Sequence, residues 1–133
     1  DSILQKKGKL TDAEYEVMKD HVNIGHKILS PIPSLKEVSR YVHEHHERVD
    51  GRGYPRGLTR EQIHPHSRIL MAVEVCDALA TERCYKEAWE LPRIIEYFRG
   101  NAGTAFDPDV AEALIRVLET EGGLFLKSWN DGP

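Results

Sequence analysis

The paired imidazoles His45 and His46, placed just ahead of a glycine-rich run, are the first feature of this sequence that could do chemistry. They follow Val42 by three and four residues, so they close the apolar side of the helix that the pattern predicts there. A helix turns by about 100° per residue, so adjacent imidazoles diverge and can serve two metals, or a metal and a phosphate. His21 follows Met18 and Val17 by the same spacings. Taken alone it reads first as a boundary histidine with a satisfied hydrogen bond, and second as a ligand. His43 turns away from the apolar side of its helix, while His26, His64 and His66 follow no inward pattern and read as surface or loop residues.

A second chemical feature is the run Ile69-Leu70-Met71-Ala72-Val73-Glu74-Val75-Cys76-Asp77-Ala78-Leu79-Ala80. Glu74 and Asp77 share a face of an otherwise apolar helix. A buried carboxylate needs cations or dense hydrogen bonding, so the pair predicts either metals or Arg/Lys partners from a neighbouring helix. Arg83 and Lys86 come just after that helix, flanking Tyr85. They are either solvated charges or the cations that hold a phosphate, for which a guanidinium offers bidentate geometry.

These residues must be positioned by helices, because no stretch alternates as a strand would and the joints are rich in Gly and Pro. Thr11-Asp12-Ala13-Glu14 is a capping box opening a helix with Tyr15, Val17, Met18 and Val22 on its apolar face. A separate short helix is expected over Asn23 to Leu29, stopped by Pro31 and Pro33. Ser34 is placed to cap the next, with Leu35, Val38 and Val42 on one stripe, ending before Asp50-Gly51-Arg52-Gly53-Tyr54-Pro55. Thr59-Arg60-Glu61-Gln62 forms another capping box, cut short by Pro65. Ser67 to Thr81 is the most apolar helix and the candidate centre of a bundle. Pro92 suits the first turn of a helix to about Arg99. Asp107-Pro108 starts one to about Thr120, with Gly122-Gly123 expected to stop it. The fold class is all-α.

With 133 residues the chain suffices for one domain, and 40% apolar with 30% charged residues is ordinary for a globular protein. A net charge of −4 argues against broad DNA or RNA binding, which needs clustered cations. No apolar stretch approaches a membrane span. Neither a signal peptide nor an initiating Met is present, which suggests a piece of something longer. Cys76 and Cys84 lack metal spacing; Cys76 reads as core, in a chain expected to be cytoplasmic.

Together these pieces resemble a family. His45-His46-Glu47-Arg48-Val49-Asp50-Gly51-Arg52-Gly53-Tyr54-Pro55-Arg56-Gly57-Leu58 is similar to the HD-GYP signature HHE-x-x-DG-x-GYP-x-GL. Asp1-Ser2-Ile3-Leu4, Gly8-Lys9-Leu10-Thr11 and Met18-Lys19-x-His21 resemble the segments on the N-terminal side of the signature in that family. Asp77-Ala78-Leu79, Arg83-x-Tyr85-Lys86 and Gly103-Thr104-x-Phe106-Asp107-Pro108 resemble the segments on its C-terminal side. The resemblance covers nearly the whole chain, residues 1–133, and weakens only in the last ten residues or so.

The resemblance implies an HD-superfamily helical bundle that binds two or three divalent metals, iron or manganese with zinc as an option, and hydrolyses cyclic di-GMP or a related cyclic dinucleotide. Carried over by position, His21, His45, His46 and Glu74 would be metal ligands. Gly53, Tyr54 and Pro55 would form the loop lining the site, and Arg83 and Lys86 would contact substrate phosphate. Asp77 would steady its neighbours rather than touch metal. The implied reaction is an in-line attack on phosphorus by water that the metals activate. No side chain here is assigned as the acid or base; the family's His-Asp dyad and its Lys are expected upstream of Asp1, so this chain would be a domain truncated at its N-terminus, with an incomplete site and little activity alone.

Two further departures bear on function. Glu74 stands where the family has Asp, reaching one methylene further, and Cys84 replaces a Pro between Arg83 and Tyr85. A different reading is therefore a signalling module that docks a diguanylate-cyclase-type domain through the GYP loop without turnover. A general HD phosphohydrolase acting on mononucleotides is a third. Loss of the upstream helices would expose an apolar groove able to drive homodimer formation.

Overall fold

The computed structural model describes residues 11–82 and 87–130, the last eight as backbone alone. Its elements run α1 (Asp12–Leu29), a 3-10 turn (Pro33–Leu35), α2 (Lys36–Glu44), α3 (Pro65–Ala80), α4 (Leu91–Asn101) and α5 (Pro108–Asn130). Among the described residues the only extended pairings are isolated bridges, Asp50 with Thr59 and Ala102 with Phe106. The all-α expectation holds, and no described helix is long and apolar enough to cross a membrane.

The capping box forms as read: the Thr11 hydroxyl accepts from the Glu14 amide at 3.3 Å and the Glu14 carboxylate accepts from the Thr11 amide at 2.7 Å. The break expected near Asn23 does not occur, and one helix runs to Leu29. Gly25 lies inside this helix where α2 passes close; a Cβ there would lie 3.2 Å from Val42 Cγ1. The expected apolar face is also corrected. Only Val22 of the four is buried, whereas Tyr15 and Val17 are 38% and 47% exposed.

The α1–α2 seam is largely polar instead. Buried Ser39 exchanges hydrogen bonds with His26, its Oγ 2.8 Å from Nδ1 and 3.2 Å from the His26 carbonyl. His26 and His43 stack at 4.2 Å, and His43 Nε2 donates to Asn23 Oδ1 at 3.0 Å. His26 is therefore an interface residue rather than the surface residue expected. Likewise Ser34 caps nothing: Leu35 precedes α2, Val38 is exposed, and the helix buries Ser39 and Glu44.

α3 begins two residues earlier than expected, with Pro65 in its first turn and His64 Nδ1 accepting from the His66 amide. Thr59 to Gln62 makes a single turn rather than a helix, Gln62 Oε1 accepting from the Thr59 amide at 2.9 Å. The main core joins Ala72, Cys76 and Ala80 of α3 to Ile94 and Phe98 of α4, Ala111 and Leu118 of α5, and Ala105 and Phe106 between them. Each large side chain buried there contributes about 1.5–3 kcal/mol. Cys76 is core as read, and burial raises its thiol pKa. A smaller cluster of Val49, Ile63 and Met71 lies against Leu58.

α5 does not stop at Gly122-Gly123. Gly122 instead makes room for α4, since a Cβ there would fall 2.8 Å from a Leu91 methyl. Its start is strongly built: Asp107 Oδ1 accepts the Asp109 and Val110 amides, and Oδ2 receives Arg60 Nε and Arg68 Nη1, both at 2.7 Å.

Candidate metal site at the end of α2

α2 ends at Glu44, and the chain turns through His45 into the glycine-rich loop. The turn ties off one side of the first imidazole: His45 Nδ1–H donates to the Val42 carbonyl at 2.6 Å. In a neutral ring that bond leaves the lone pair on Nε2. Nε2 lies 3.8 Å from Glu74 Oε2, too far for a direct hydrogen bond. His46 stacks beside it, ring centroids 4.0 Å apart. Burial and then the neighbouring His45 pull the His46 pKa down to about 4, so it is a neutral imidazole at physiological pH.

Tyr54 reaches the same place from the loop. Its ring stacks on His46 at 5.0 Å and 17°, its amide donates to the His46 carbonyl at 3.2 Å, and Tyr15 of α1 meets its edge at 5.2 Å. Burial raises the phenol pKa, so it stays protonated.

The loop geometry explains its glycines. Gly51 and Gly57 hold φ of 77° and 63°, in the left-handed region. Gly53 is excluded from carrying a side chain by contact: a Cβ would sit 2.4–2.5 Å from the Glu47 and Arg48 backbone. Arg48 grips Asp50 through both Nε and Nη2, and Asp50 Oδ1 also accepts the Arg52 amide.

Two buried glutamates, three residues apart, underlie this loop. Glu44 receives Arg40 Nε at 2.9 Å, Arg56 Nη2 at 3.5 Å and the His64 amide at 2.9 Å. Burial opposes its ionisation, but these bonds outweigh burial and lower its pKa. Glu47 accepts the Arg56 and Leu58 amides. Sequence reasoning assigned neither a role. Both sit among charged and histidine neighbours, so no hydrophobic contrast marked them as buried, whereas Glu74 and Asp77 had that contrast and are not buried.

The expectation of burial for Glu74 and Asp77 is corrected accordingly. The Glu74 side chain is 50% exposed, because its side of α3 is open along Ile69 and Val73. No burial penalty therefore forces a partner on it. Asp77 accepts from the Thr81 hydroxyl at 3.2 Å at the end of α3. The structure thus brings His45, His46, Glu74 and Tyr54 together, while His21 is exposed on α1. Among the described residues no three His, Cys, Asp or Glu side chains form a metal-binding group. Arg83 and Lys86 lie outside the described residues, as do Cys84 and Tyr85.

The donor types suit a divalent cation, although the three side chains do not converge as one group: an imidazole whose other nitrogen is held by a carbonyl lies near a carboxylate, with a second imidazole alongside.

Comparison with known proteins identifies the family. The family described as HD domain matches residues 1–110. The chain is 42% identical over 118 residues to a cyclic di-GMP phosphodiesterase response regulator, RpfG, of Xanthomonas campestris pv. campestris, covering 87% of this chain and 31% of the relative. It is 39% identical over 120 residues to a cyclic di-GMP phosphodiesterase of Thermotoga maritima, covering 88% and 32%. It is 35% identical over 117 residues to the 3'3'-cGAMP-specific phosphodiesterase 3 of Vibrio cholerae, covering 88% and 25%. The chain spans about a third or less of these relatives. HD-family phosphohydrolases depend in general on divalent metals. By its family match and its HHE…GYP loop, the chain belongs to the HD domain family, among its HD-GYP members.

Proposed function

We propose that residues 1–133 are the GYP-bearing part of an HD-GYP domain that hydrolyses a phosphodiester bond of a cyclic dinucleotide, cyclic di-GMP or a close relative, in the cytoplasm. The observation that carries this reading is His45, tied off at Nδ1 and facing Glu74 at 3.8 Å, beside a His46 that the GYP loop covers with Tyr54. The names of the relatives support the substrate class.

In this reading His21, His45, His46 and Glu74 hold divalent metals, two or three in the complete domain, with iron or manganese favoured and zinc an option. When bound, these ions supply an acidified water for in-line attack and neutralise charge on the phosphoryl oxygens. The chain's own contributions are positional. The Val42 carbonyl keeps the His45 lone pair on Nε2, and Tyr54 shields one face of His46 from water. Arg83 and Lys86 would hold the phosphate, and Asp77 would steady the end of α3.

The test is metal content and cyclic di-GMP hydrolysis by the full-length protein. Turnover that disappears on chelation, with less bound metal in Glu74→Gln and His45→Ala, is expected. A metal-loaded full-length protein that turns over no cyclic dinucleotide overturns the enzyme reading. The half-exposed Glu74, reaching further than an Asp, favours the second reading, a module docking a diguanylate-cyclase-type domain through the GYP loop. Binding of such a domain by metal-loaded, inactive protein would select it.

A further inference from the structure

Glu47 stands between the paired histidines and the loop, yet neither metal binding nor phosphate binding uses it. It is 3% exposed. Its Oε1 accepts the Arg56 amide at 2.8 Å and its Oε2 accepts the Leu58 amide at 2.9 Å. One side chain thus takes two main-chain N–H groups on separate oxygens, which fixes both its position and its tilt. The far limb of the loop is thereby held against the end of α2. The near limb is held independently: the Tyr54 amide donates to the His46 carbonyl, and Gly53 packs on the Glu47 backbone with no space for a Cβ. Tyr54 is thus anchored by its own amide and followed after two residues by the clamped Arg56, so the path of the chain that carries its ring over His46 is held on both sides.

Size alone does not explain the residue. Glutamine would fill the same volume, but it has one oxygen, and its NH2 would meet an amide N–H, donor against donor. A buried N–H left unpaired would pull its segment toward water.

We propose that Glu47 is a positioning residue: as a carboxylate it clamps residues 56–58 and so holds Tyr54 over His46 for the reaction. Its role in catalysis rests on the phosphodiesterase reading; the clamp itself does not.

The experiment compares wild type, Glu47→Gln, Tyr54→Ala and the double variant of the metal-loaded full-length protein. Turnover of cyclic di-GMP and hydrogen exchange of peptides spanning residues 53–60 are both read. Glu47→Gln is expected to speed exchange at 56–58 while peptides of α4 and α5 keep their protection, which shows that the fold survives. It is expected to lower kcat about 10- to 100-fold with KM little changed, as a displaced positioning element does. In the Tyr54→Ala background the same change is expected to cost little more, because the two act through one ring. Unchanged exchange at 56–58, or losses that multiply in the double variant, overturns the proposal. If the wild-type protein turns over no cyclic dinucleotide, the phosphodiesterase reading and this catalytic role fall together. The exchange measurement then still decides whether Glu47 clamps the loop.

Discussion

Asp107 is 2% exposed, and an unanswered charge at that depth would cost several kcal/mol. Burial raises its pKa, but Arg60, Arg68 and the Val110 and Asp109 amides outweigh burial and hold it at about 2, against an ordinary 3.8. A depressed carboxylate pKa contributes stability that is full above the ordinary value and drains as pH falls toward the folded one. Replacing Asp107 with Ala is expected to cost about 3 kcal/mol, the low end for a broken buried pair because Arg60 is partly solvated. In urea titrations the gap between wild type and variant should shrink between about pH 4 and pH 2; a gap independent of pH would show that the ion pairs are not its source. Tyr54 is a different case, since its contacts are with His46 and Tyr15 rather than with the core. Tyr54→Phe is expected to keep the stack and most activity. Tyr54→Ala should cost only about 1–2 kcal/mol of stability while turnover falls at least about tenfold. Equal loss in both measurements would make it a structural Tyr. At this scale the sequence was legible where a motif was long: His45, His46 and Tyr54 of the signature lie together with Glu74 nearby, whereas His21 is exposed on α1. It misled where burial was inferred from neighbours alone, because Glu74 has apolar neighbours along the chain and water in space.

Helix starts were readable where a cap is built from residues within one turn, as with Thr11 and Glu14 or Asp107 before Pro108, but not at Ser34 or Asn23, where no such cap forms. Ends at Leu29, Ala80 and Asn101 were legible to within two residues, but the stop at Gly122 was not. Gly122 looks like a stop in one dimension yet admits Leu91 of α4, and Gly25, inside α1, likewise admits Val42 of α2. A glycine that leaves space and one that permits a turn are the same letter. The loop glycines separate these causes experimentally. Gly51→Ala places a Cβ at φ 77° with no contact under 3.6 Å, so conformational strain of about 1–2 kcal/mol is its main cost. Gly53→Ala drives a Cβ to 2.4 Å from backbone that cannot yield, so it is expected to cost more, above about 2 kcal/mol. Chemical denaturation of the two variants checks the order, and a milder effect at Gly53 would mean that the loop can move away from α2.

Across the whole molecule, apolar burial is distributed unevenly. α3, α4 and α5 share one core, whereas α1 buries Val22 alone and meets α2 through imidazoles, Ser39 and Asn23. Amides of α1 are therefore expected to exchange through local openings well below the free energy that protects α3 and α4. Equal protection would show that the polar seam is as strong as the core. The all-α class and the helical centre were legible in the sequence because periodicity reports burial along an element; this imbalance was not, since it depends on which faces meet. The sequence separations of the hydrogen bonds bear on the order of assembly. Glu44 and Glu47 reach partners 9 to 20 residues away, while Asp107 must find Arg68 and Arg60 across 39 and 47 residues. Each doubling of a closed loop costs about 0.6 kcal/mol of chain entropy. Chain closure therefore favours the histidine-bearing turn closing onto its two glutamates first, so that the GYP loop is already shaped when α5 arrives to lock it in place.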